Sequence, residues 1–283
     1  MSDIESKIRS RAKELLAEGK INCFIGWGKT RFADKTKPEF VTRPEDADRL
    51  VYNENCLNTL AKYALRGRFA EGVVGLCARG CDSRAINRLI ADGRLAREKV
   101  YLLGIPCGGM KEGGKVAEKC LHCACPNPVI YDELIGEKVE ERDIPDRFAA
   151  VNEIEAMSAD ERYEFWKNQF EKCIRCYACR NVCSACNCTE CYTDQYRTGF
   201  MGKQANQVEN QVFGMTRAFH IGDRCIECGE CQRVCPMDIK LMSLNRKLLK
   251  DVGEMFGSNE FGMDSQPVRA LGMYEKDDLD EFV

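Results

Sequence analysis

Cysteine spacing constrains this sequence more than any other feature. The chain has 19 cysteines, and two runs of four share the spacing C-x2-C-x2-C-x3-C. The first run is Cys173, Cys176, Cys179 and Cys183, and the second is Cys225, Cys228, Cys231 and Cys235. In two-cluster ferredoxins with this spacing, the first three cysteines of a run bind one 4Fe-4S cluster and the fourth binds the other.

The two runs therefore predict two 4Fe-4S clusters with crossed ligands. The cluster-1 cysteines are Cys173, Cys176, Cys179 and Cys235. The cluster-2 cysteines are Cys225, Cys228, Cys231 and Cys183. Two-residue gaps let a tight loop direct three thiolates at one cluster, while the helix that follows carries the fourth away. Zinc is the alternative, but its sites typically combine two separated C-x2-C pairs.

Four more cysteines form a separate pattern in the N-terminal half, C-x12-C-x2-C-x-C. These cluster-3 cysteines are Cys107, Cys120, Cys123 and Cys125. The glycine-rich segment GGMKEGG precedes Cys120, and Pro126 follows the last cysteine. We expect a third 4Fe-4S cluster here, with a zinc site on the same thiolates as the alternative. His122 is expected to be a neighbour of this site and not a ligand.

Three surplus cysteines follow the first run. They are Cys186, Cys188 and Cys191, with the spacing C-x-C-x2-C. A fourth cluster would need one more thiolate from elsewhere, such as Cys56, Cys77 or Cys81. The alternative is a set of free or partly buried thiols packed beside a neighbouring cluster.

Cys81 lies at the predicted start of a helix, between Arg79 and Arg84. A helix N-terminus and nearby cations favour a thiolate or a bound anion. The three residues are therefore candidates for an anion or flavin pocket, and Cys81 is also a candidate cluster ligand or redox thiol. The alternative role for Cys81 is a small residue that fills a tight turn.

Hydrophobic periodicity predicts an α/β fold for the N-terminal part. Residues 72–77 and 99–105 are expected to be buried strands, and residues 82–93 a helix capped by Asp82 or Ser83 and ended by Gly93. A right-handed crossover would make this a parallel βαβ unit. Residues 21–27 predict another strand, and residues 53–67 another helix.

The chain changes character near residue 140, which suggests four segments. We expect an α/β cluster-bearing domain over residues 1–135, a charged connector over 136–164, and an α+β ferredoxin-like two-cluster domain over 165–250 with a cysteine-rich insert. A helical, acidic C-terminal tail would occupy 251–283. Ser158 and Glu161 form a capping-box pattern that predicts a helix leading to Cys173.

Composition narrows the compartment and the partners. The sequence has no apolar stretch resembling a signal peptide or a membrane span, and its net charge is -3 without a basic block. So many cysteines in a chain of this length indicate metal ligation in a reducing compartment more than disulfides. We expect a cytoplasmic protein with protein partners, no nucleic acid and no direct membrane insertion.

Several segments resemble known redox proteins. The segments GLCARGCDSRAI, VYLLGIPCGGM and KCLHCAC resemble the N-terminal region of the beta-subunit family of coenzyme F420 hydrogenases and dehydrogenases. CIRCYACRNVC and RCIECGECQRVCPMDIKL are similar to the two-cluster ferredoxin modules of heterodisulfide-reductase-type electron-transfer subunits. The first resemblance implies electron transfer between a flavin and iron-sulfur clusters. Flavin-binding members have a longer domain after the cluster cysteines, where this chain has the connector and the ferredoxin module.

Together these features predict an electron-transfer subunit of an anaerobic oxidoreductase complex, such as a formate dehydrogenase, hydrogenase or heterodisulfide-reductase-like assembly. Such a role needs no general acid, base or nucleophile. The alternative is a flavin-containing oxidoreductase, with FAD, that oxidises F420H2 or NAD(P)H and passes electrons to its own clusters. A redox sensor or metal-storage module is a third interpretation. Lys172, Arg175 and Arg180 would raise cluster potentials or form a docking patch, with solvated loop charges as the alternative. Tyr177 and Tyr192 would shield clusters.

Overall fold

The computed structural model describes residues 2–65, 72–140, 143–195, 199, 201–202, 204–257 and 260–266. Its N-terminal half is built on a sheet with α1 (Ser2–Ala17) packed against it. The strands are β1 (Cys23–Lys29), β2 (Thr36–Val41), β3 (Leu50–Val51), β4 (Val74–Ala78), β5 (Val100–Gly104) and β8 (Glu133–Leu134). A separate small hairpin joins β6 (Lys111–Glu112) to β7 (Lys115–Val116), and the short helix α3 (Glu118–Leu121) follows it.

The main sheet has the order β2-β1-β4-β5-β8, with β3 also paired to β1. Strands β1, β4, β5 and β8 run parallel, and β2 and β3 pair antiparallel with β1. All five residues of β4 and the first six of β1 are buried. Continuous apolar strands of this kind are typical of a parallel sheet covered on both faces.

The parallel βαβ unit is confirmed. Helix α2 (Gly80–Ala91) connects β4 to β5, and Gly93 follows its end with a left-handed φ of +64°. The expected N-cap was wrong, because Arg79 occupies that position and Asp82 accepts the Arg79 backbone N–H from within the first turn. The first residue of the helix is Gly80. A side chain does not fit at this position, because a Cβ there would lie 1.9 Å from the carbonyl oxygen of Cys125.

The strand expected at residues 21–27 is confirmed as β1, but the helix expected over 53–67 is wrong for the described part of that range. Up to residue 65 only a short 3-10 helix forms, at Ala61–Leu65. Side chains of the βαβ unit form hydrogen bonds to the backbone of residues 56–60. Asp82 accepts the Leu60 N–H, and Arg79 donates to the carbonyl oxygens of Cys56 and Asn58. These long-range bonds replace the local bonds that a helix needs.

The C-terminal half is helical in its described residues. Its helices are α4 (Ala149–Glu155), α5 (Ala159–Glu171), α6 (Ala178–Val182), α7 (Gln207–His220), α8 (Glu230–Arg233) and α9 (Leu241–Phe256). No strand forms among the described residues between 165 and 250, so the expected β component of this region is wrong. Helices α5, α7 and α9 instead pack around Phe170, Ala218 and Leu244 and hold the cysteine loops between them.

Two other expectations for this half have clear outcomes. Helix α5 begins at the predicted Ser158–Glu161 capping box, in which each residue binds the backbone N–H of the other. The expected connector contains α4, which buries Val151 and forms ion pairs from Glu155 to Lys247 and Lys250 of α9. The acidic end of the chain lies outside the described residues, and the division into four segments stays a prediction.

The two halves share buried contacts. Ile226 and Cys228, from the second cysteine run, pack against the core of the N-terminal sheet. In the opposite direction, Arg84 of α2 donates two hydrogen bonds to the carbonyl oxygen of Phe261. None of the described helices combines the length and the apolar character needed to cross a membrane.

Candidate iron-sulfur centres

The two cysteine runs have the same loop conformation. In the first run Arg175 and Tyr177 have positive φ angles of 55° and 58°, and in the second run the matching Glu227 and Gly229 have 56° and 69°. Non-glycine residues adopt this left-handed region only when the surrounding structure requires it. The repeated sequence spacing therefore produces a repeated backbone shape.

This shape directs backbone N–H groups at sulfur. The Arg175 N–H lies 3.4 Å from Sγ of Cys173, and the Glu227 N–H makes the corresponding bond to Cys225. The Gly109 N–H lies 3.4 Å from Sγ of Cys107 in the N-terminal half. Backbone N–H bonds to sulfur stabilise the thiolates that ligate iron-sulfur clusters and tune their potentials. The three loops thus fit the groups that the sequence predicts.

The cluster-1 cysteines lie together. Burial raises the pKa of the Cys173 thiol, and the neighbouring Cys235 and Cys176 thiols raise it further. Burial likewise raises the pKa of Cys179 to about 11, with Cys173 and Cys235 among its neighbours. Cys235, which comes from the second run, lines the same pocket as the first three cysteines of the first run.

The cluster-2 cysteines show the reciprocal crossing. Burial raises the pKa values of Cys225, Cys228 and Cys231, and the Cys183 thiol acts on all three in the same direction. Cys183 belongs to the first run, so both fourth cysteines lie across from their own loops. The fold brings together the two crossed sets that the spacing predicts.

These groups are open compared with a site for one ion. A single metal ion requires its ligands to converge on one point, and no three His, Cys, Asp or Glu side chains in the described part of the chain do so. A 4Fe-4S cluster has an iron atom at each of four separated corners, so its thiolates are held farther apart.

Cys81 joins the cluster-3 cysteines. Burial raises the pKa of Cys107, as do the neighbouring thiols of Cys120 and Cys123, whereas the Arg79 guanidinium lowers it. Burial also raises the pKa of Cys81, and Cys123 is one of the groups that raise it further. Sγ of Cys125 lies 3.3 Å from the carbonyl oxygen of Asn127. Cys81 is thus a fifth thiol beside this group.

The two arginines expected beside Cys81 bind protein oxygens. Arg79 is 1% exposed, pairs with Asp82 at 2.9 Å and stacks over the ring of Trp27. Arg84 binds the Phe261 carbonyl oxygen and lies 3.7 Å from Glu260. A flavin or anion pocket built on these guanidinium groups stays a prediction.

The surplus cysteines line one cavity of about 290 Å³. The cavity lies between the loop after α6 and the C-terminal end of α7, and its other lining residues include Lys62, Arg180, Arg217, His220 and Arg224. Cys56, Cys77 and Cys81, which the sequence suggested as a completing ligand, do not line it. They lie instead around Arg79, in or beside the N-terminal sheet.

Arg217 is a central cation that the sequence analysis missed. Its side chain is 3% exposed, and Nη2 donates to the carbonyl oxygen of Cys179 at 3.2 Å. Burial alone would lower the pKa of Arg217, but the thiols of Cys186, Cys231, Cys183 and Cys179 raise it. A lone arginine in a helix gives no sequence signal for such a position.

The cations singled out from the sequence have different surroundings. Arg175 is buried, donates to the Tyr177 hydroxyl and the Gly202 carbonyl oxygen, and pairs with Glu209. Arg180 pairs with Asp194 at 2.8 Å and lies over the Tyr177 ring, whereas Lys172 is exposed. Tyr177 and Tyr192 both contact Phe213, the first through its ring and the second through its hydroxyl.

A buried charge network connects the N-terminal and C-terminal sites. Lys119 precedes Cys120, Glu230 precedes Cys231, and the two side chains pair at 2.5 Å while less than 6% exposed. Arg233 pairs with the same carboxylate at 2.7 Å. Burial alone would raise the pKa of Glu230, but Lys119 and Arg233 lower it to about 2. The network fixes the segment that carries Cys120 against the segment that carries Cys231.

Comparison with known proteins gives two kinds of match. Residues 169–239 match the family model of the 4Fe-4S dicluster domain. The chain is also 35% identical over 95 residues to the F420-dependent formate dehydrogenase subunit beta of Methanocaldococcus jannaschii, a match covering 33% of this chain and 24% of that protein. It is 51% identical over 35 residues to the F420-dependent formate dehydrogenase 1 subunit beta of Methanococcus maripaludis, covering 11% and 9%.

These matches confirm the resemblance seen in the sequence. They also confirm iron-sulfur binding and electron transfer as the chemistry to which the chain is related, because the dicluster match includes both cysteine runs. The matched segments span a quarter or less of the two formate dehydrogenase subunits.

Proposed function

We propose that this chain is an iron-sulfur electron-transfer subunit of an anaerobic oxidoreductase complex of the formate dehydrogenase type. The cluster-1 and cluster-2 cysteines would each hold one 4Fe-4S cluster, and a third cluster would be held by thiols from Cys81 and the cluster-3 cysteines. A 4Fe-4S cluster supplies a one-electron carrier. The protein holds the carriers, sets their potentials and docks the partner subunits.

The arrangement of the thiol groups in series carries this proposal. The Lys119–Glu230 pair adjoins ligand segments of the third and second groups. The Cys231 thiol of the second group lies close enough to Cys179 of the first group to raise the pKa of the Cys179 thiol. Cys176 of the first group is exposed to solvent, where a partner could exchange electrons. The three groups thus form a path from the N-terminal core to the protein surface.

The crossed assignment predicts which variants behave alike. Cys183→Ala should alter the same electron paramagnetic resonance signal as Cys228→Ala, although Cys183 lies in the other run. Cys235→Ala should alter the same signal as Cys176→Ala. Each measurement would follow the signals of the reduced, anaerobically purified protein during a redox titration.

Cys23→Ala is the matched control for these variants. Cys23 is fully buried in β1, within the core of the N-terminal sheet. Its change to alanine should leave both signals unchanged. If Cys183→Ala altered the signal that Cys176→Ala alters, the crossed ligand assignment would be wrong.

The alternative function is a flavin-containing oxidoreductase that oxidises F420H2 or NAD(P)H. The two similar subunits belong to F420-dependent formate dehydrogenases, which keeps this alternative open. Measuring the iron, acid-labile sulfide and flavin contents of the anaerobically purified protein distinguishes the two functions. The relay proposal expects at least about 12 irons per chain and no stoichiometric flavin. One FAD per chain, reduced by F420H2 ahead of the clusters, would establish the alternative.

A further inference from the structure

The cavity lined by the surplus cysteines has the features of a fourth cluster site. Its volume of about 290 Å³ corresponds to roughly ten water molecules at about 30 Å³ each. Three thiols line it within six residues of sequence, so one loop delivers three ligands. The remaining question is which group supplies the fourth.

Two of the lining residues, Asp194 and His220, have side chains able to complete the ligand set. Asp194 already pairs with Arg180 at 2.8 Å. The His220 ring contacts the edge of Tyr192 at a centroid distance of 5.2 Å, and within the described ranges its two nitrogens make no hydrogen bond. Imidazole is a known replacement for thiolate on iron-sulfur clusters.

Neighbouring contacts hold His220 beside the surplus cysteines. Tyr192 follows Cys191 directly, so the Tyr192–His220 contact joins the imidazole to that end of the cysteine loop. Ile221, the residue after His220, is buried and packs in the same cluster as Cys186. The end of α7 and the cysteine loop are therefore fixed to each other at two points.

The charges around the cavity favour an anionic occupant. Lys62, Arg180, Arg217 and Arg224 line it. Arg180 pairs with Asp194 and Arg224 with Asp92, whereas Lys62 and Arg217 have no paired carboxylate in the described part of the chain. The Nε atoms of Arg217 and Arg224 are buried and have no hydrogen-bond partner in the described part of the chain. Lys62 is held at the wall by the carbonyl oxygens of Cys183 and Cys186. Buried cations with unused donors are costly unless an anion is bound nearby.

We propose that Cys186, Cys188, Cys191 and His220 bind a fourth 4Fe-4S cluster. The neutral imidazole replaces one anionic thiolate, and Lys62 and Arg217 add positive charge that no carboxylate pairs with, so this cluster has a higher reduction potential than one held by four cysteines. It lies beside the cluster-2 site, because Cys186 follows Cys183 by three residues and its backbone N–H donates to the Cys183 carbonyl oxygen at 3.2 Å. This proposal deepens the relay function by adding an electron-accepting branch at that point.

The test uses the fact that the sequence has only two histidines, His122 and His220. The full chain is purified anaerobically, reduced, and examined by pulsed electron paramagnetic resonance for nitrogen coupling from an imidazole. We expect coupling in the wild type and in His122→Gln, and its loss in His220→Cys. The cysteine variant should keep about 16 irons per chain, because thiolate completes the same site.

A second variant tests the cluster itself. Changing all three surplus cysteines to alanine should remove about four irons per chain and leave about 12. If that protein does not fold, Cys188→Ala alone serves, because Cys188 is exposed and its loss should convert the site to a three-iron form with one iron fewer.

Three results would overturn the proposal: an unchanged iron content when the surplus cysteines are changed to alanine, no imidazole coupling in the wild type, or coupling that disappears in His122→Gln and persists in His220→Cys. These readouts do not depend on electron transfer. The fourth site can therefore fail while the relay function stands, and the relay function can fail while the site is loaded.

Discussion

At the scale of single residues, buried cations set the environment of the thiol groups. Arg217 lies among Cys179 from the first group, Cys183 and Cys231 from the second, and Cys186 of the surplus set. Its charge therefore acts on three proposed sites together. Lys172, by contrast, adjoins Cys173 in sequence but is exposed, so solvent and salt screen its charge.

Arg217→Met should lower the reduction potentials of the clusters beside it, because it removes a positive charge that favours the electron-rich state. A unit charge at about 8 Å with an effective dielectric constant of about 20 is worth about 2 kcal/mol, or roughly 90 mV for one electron. Redox titration followed by electron paramagnetic resonance would measure the shift. Lys172→Met is the control and should shift the potentials by far less; equal shifts in both variants would refute the role of burial.

At the scale of elements, local sequence signals located helices well wherever the helix depends on its own residues. The Ser158 capping box and the glycine after α2 both correspond to observed helix boundaries. The helix predicted over residues 53–67 does not form at residues 53–60, because the side chains of Arg79 and Asp82 bind the backbone there. The described residues of 165–250 form no strands, because the cysteine loops and the packed side chains occupy the space between α5, α7 and α9.

Ser158→Ala should destabilise the C-terminal half, because the N–H of Glu161 loses its cap and α5 leads directly to Cys173. A lost N-cap costs about 1 kcal/mol, which corresponds to a decrease of roughly 2–4 °C in the unfolding midpoint of a protein this size. Anaerobic thermal unfolding would measure it. Ser158→Asn keeps a capping oxygen and should retain the wild-type midpoint, so equal losses in both variants would contradict the capping argument.

At the scale of the whole molecule, a buried ion network holds the two halves in register. Lys119, Glu230 and Arg233 are joined across the interface, and Arg233 also donates to the side-chain oxygen of Asn58. The distances between the N-terminal and C-terminal thiol groups depend on this interface. A relay needs those distances to be constant.

Glu230→Gln should therefore destabilise the folded protein strongly, because it leaves two cations without their buried counter-charge. Removing one partner of a buried ion pair typically costs about 3–5 kcal/mol. Denaturant unfolding under anaerobic conditions would measure the change. Asp3→Asn, which breaks an exposed pair with Lys7, is the control and should cost under about 1 kcal/mol; a similarly small cost for Glu230→Gln would show that the interface does not rely on this network.

The sequence by itself determined the two cysteine runs, their crossed grouping and the parallel βαβ unit. These features depend on short spacings and on periodicity, which the chain carries locally. Only the tertiary structure decided that Cys81 meets the cluster-3 cysteines, that Arg217 lies among three thiol groups, and that His220 faces the surplus cysteines. Such meetings join residues far apart in sequence, and burial determines their electrostatic effects, so no local pattern encodes them.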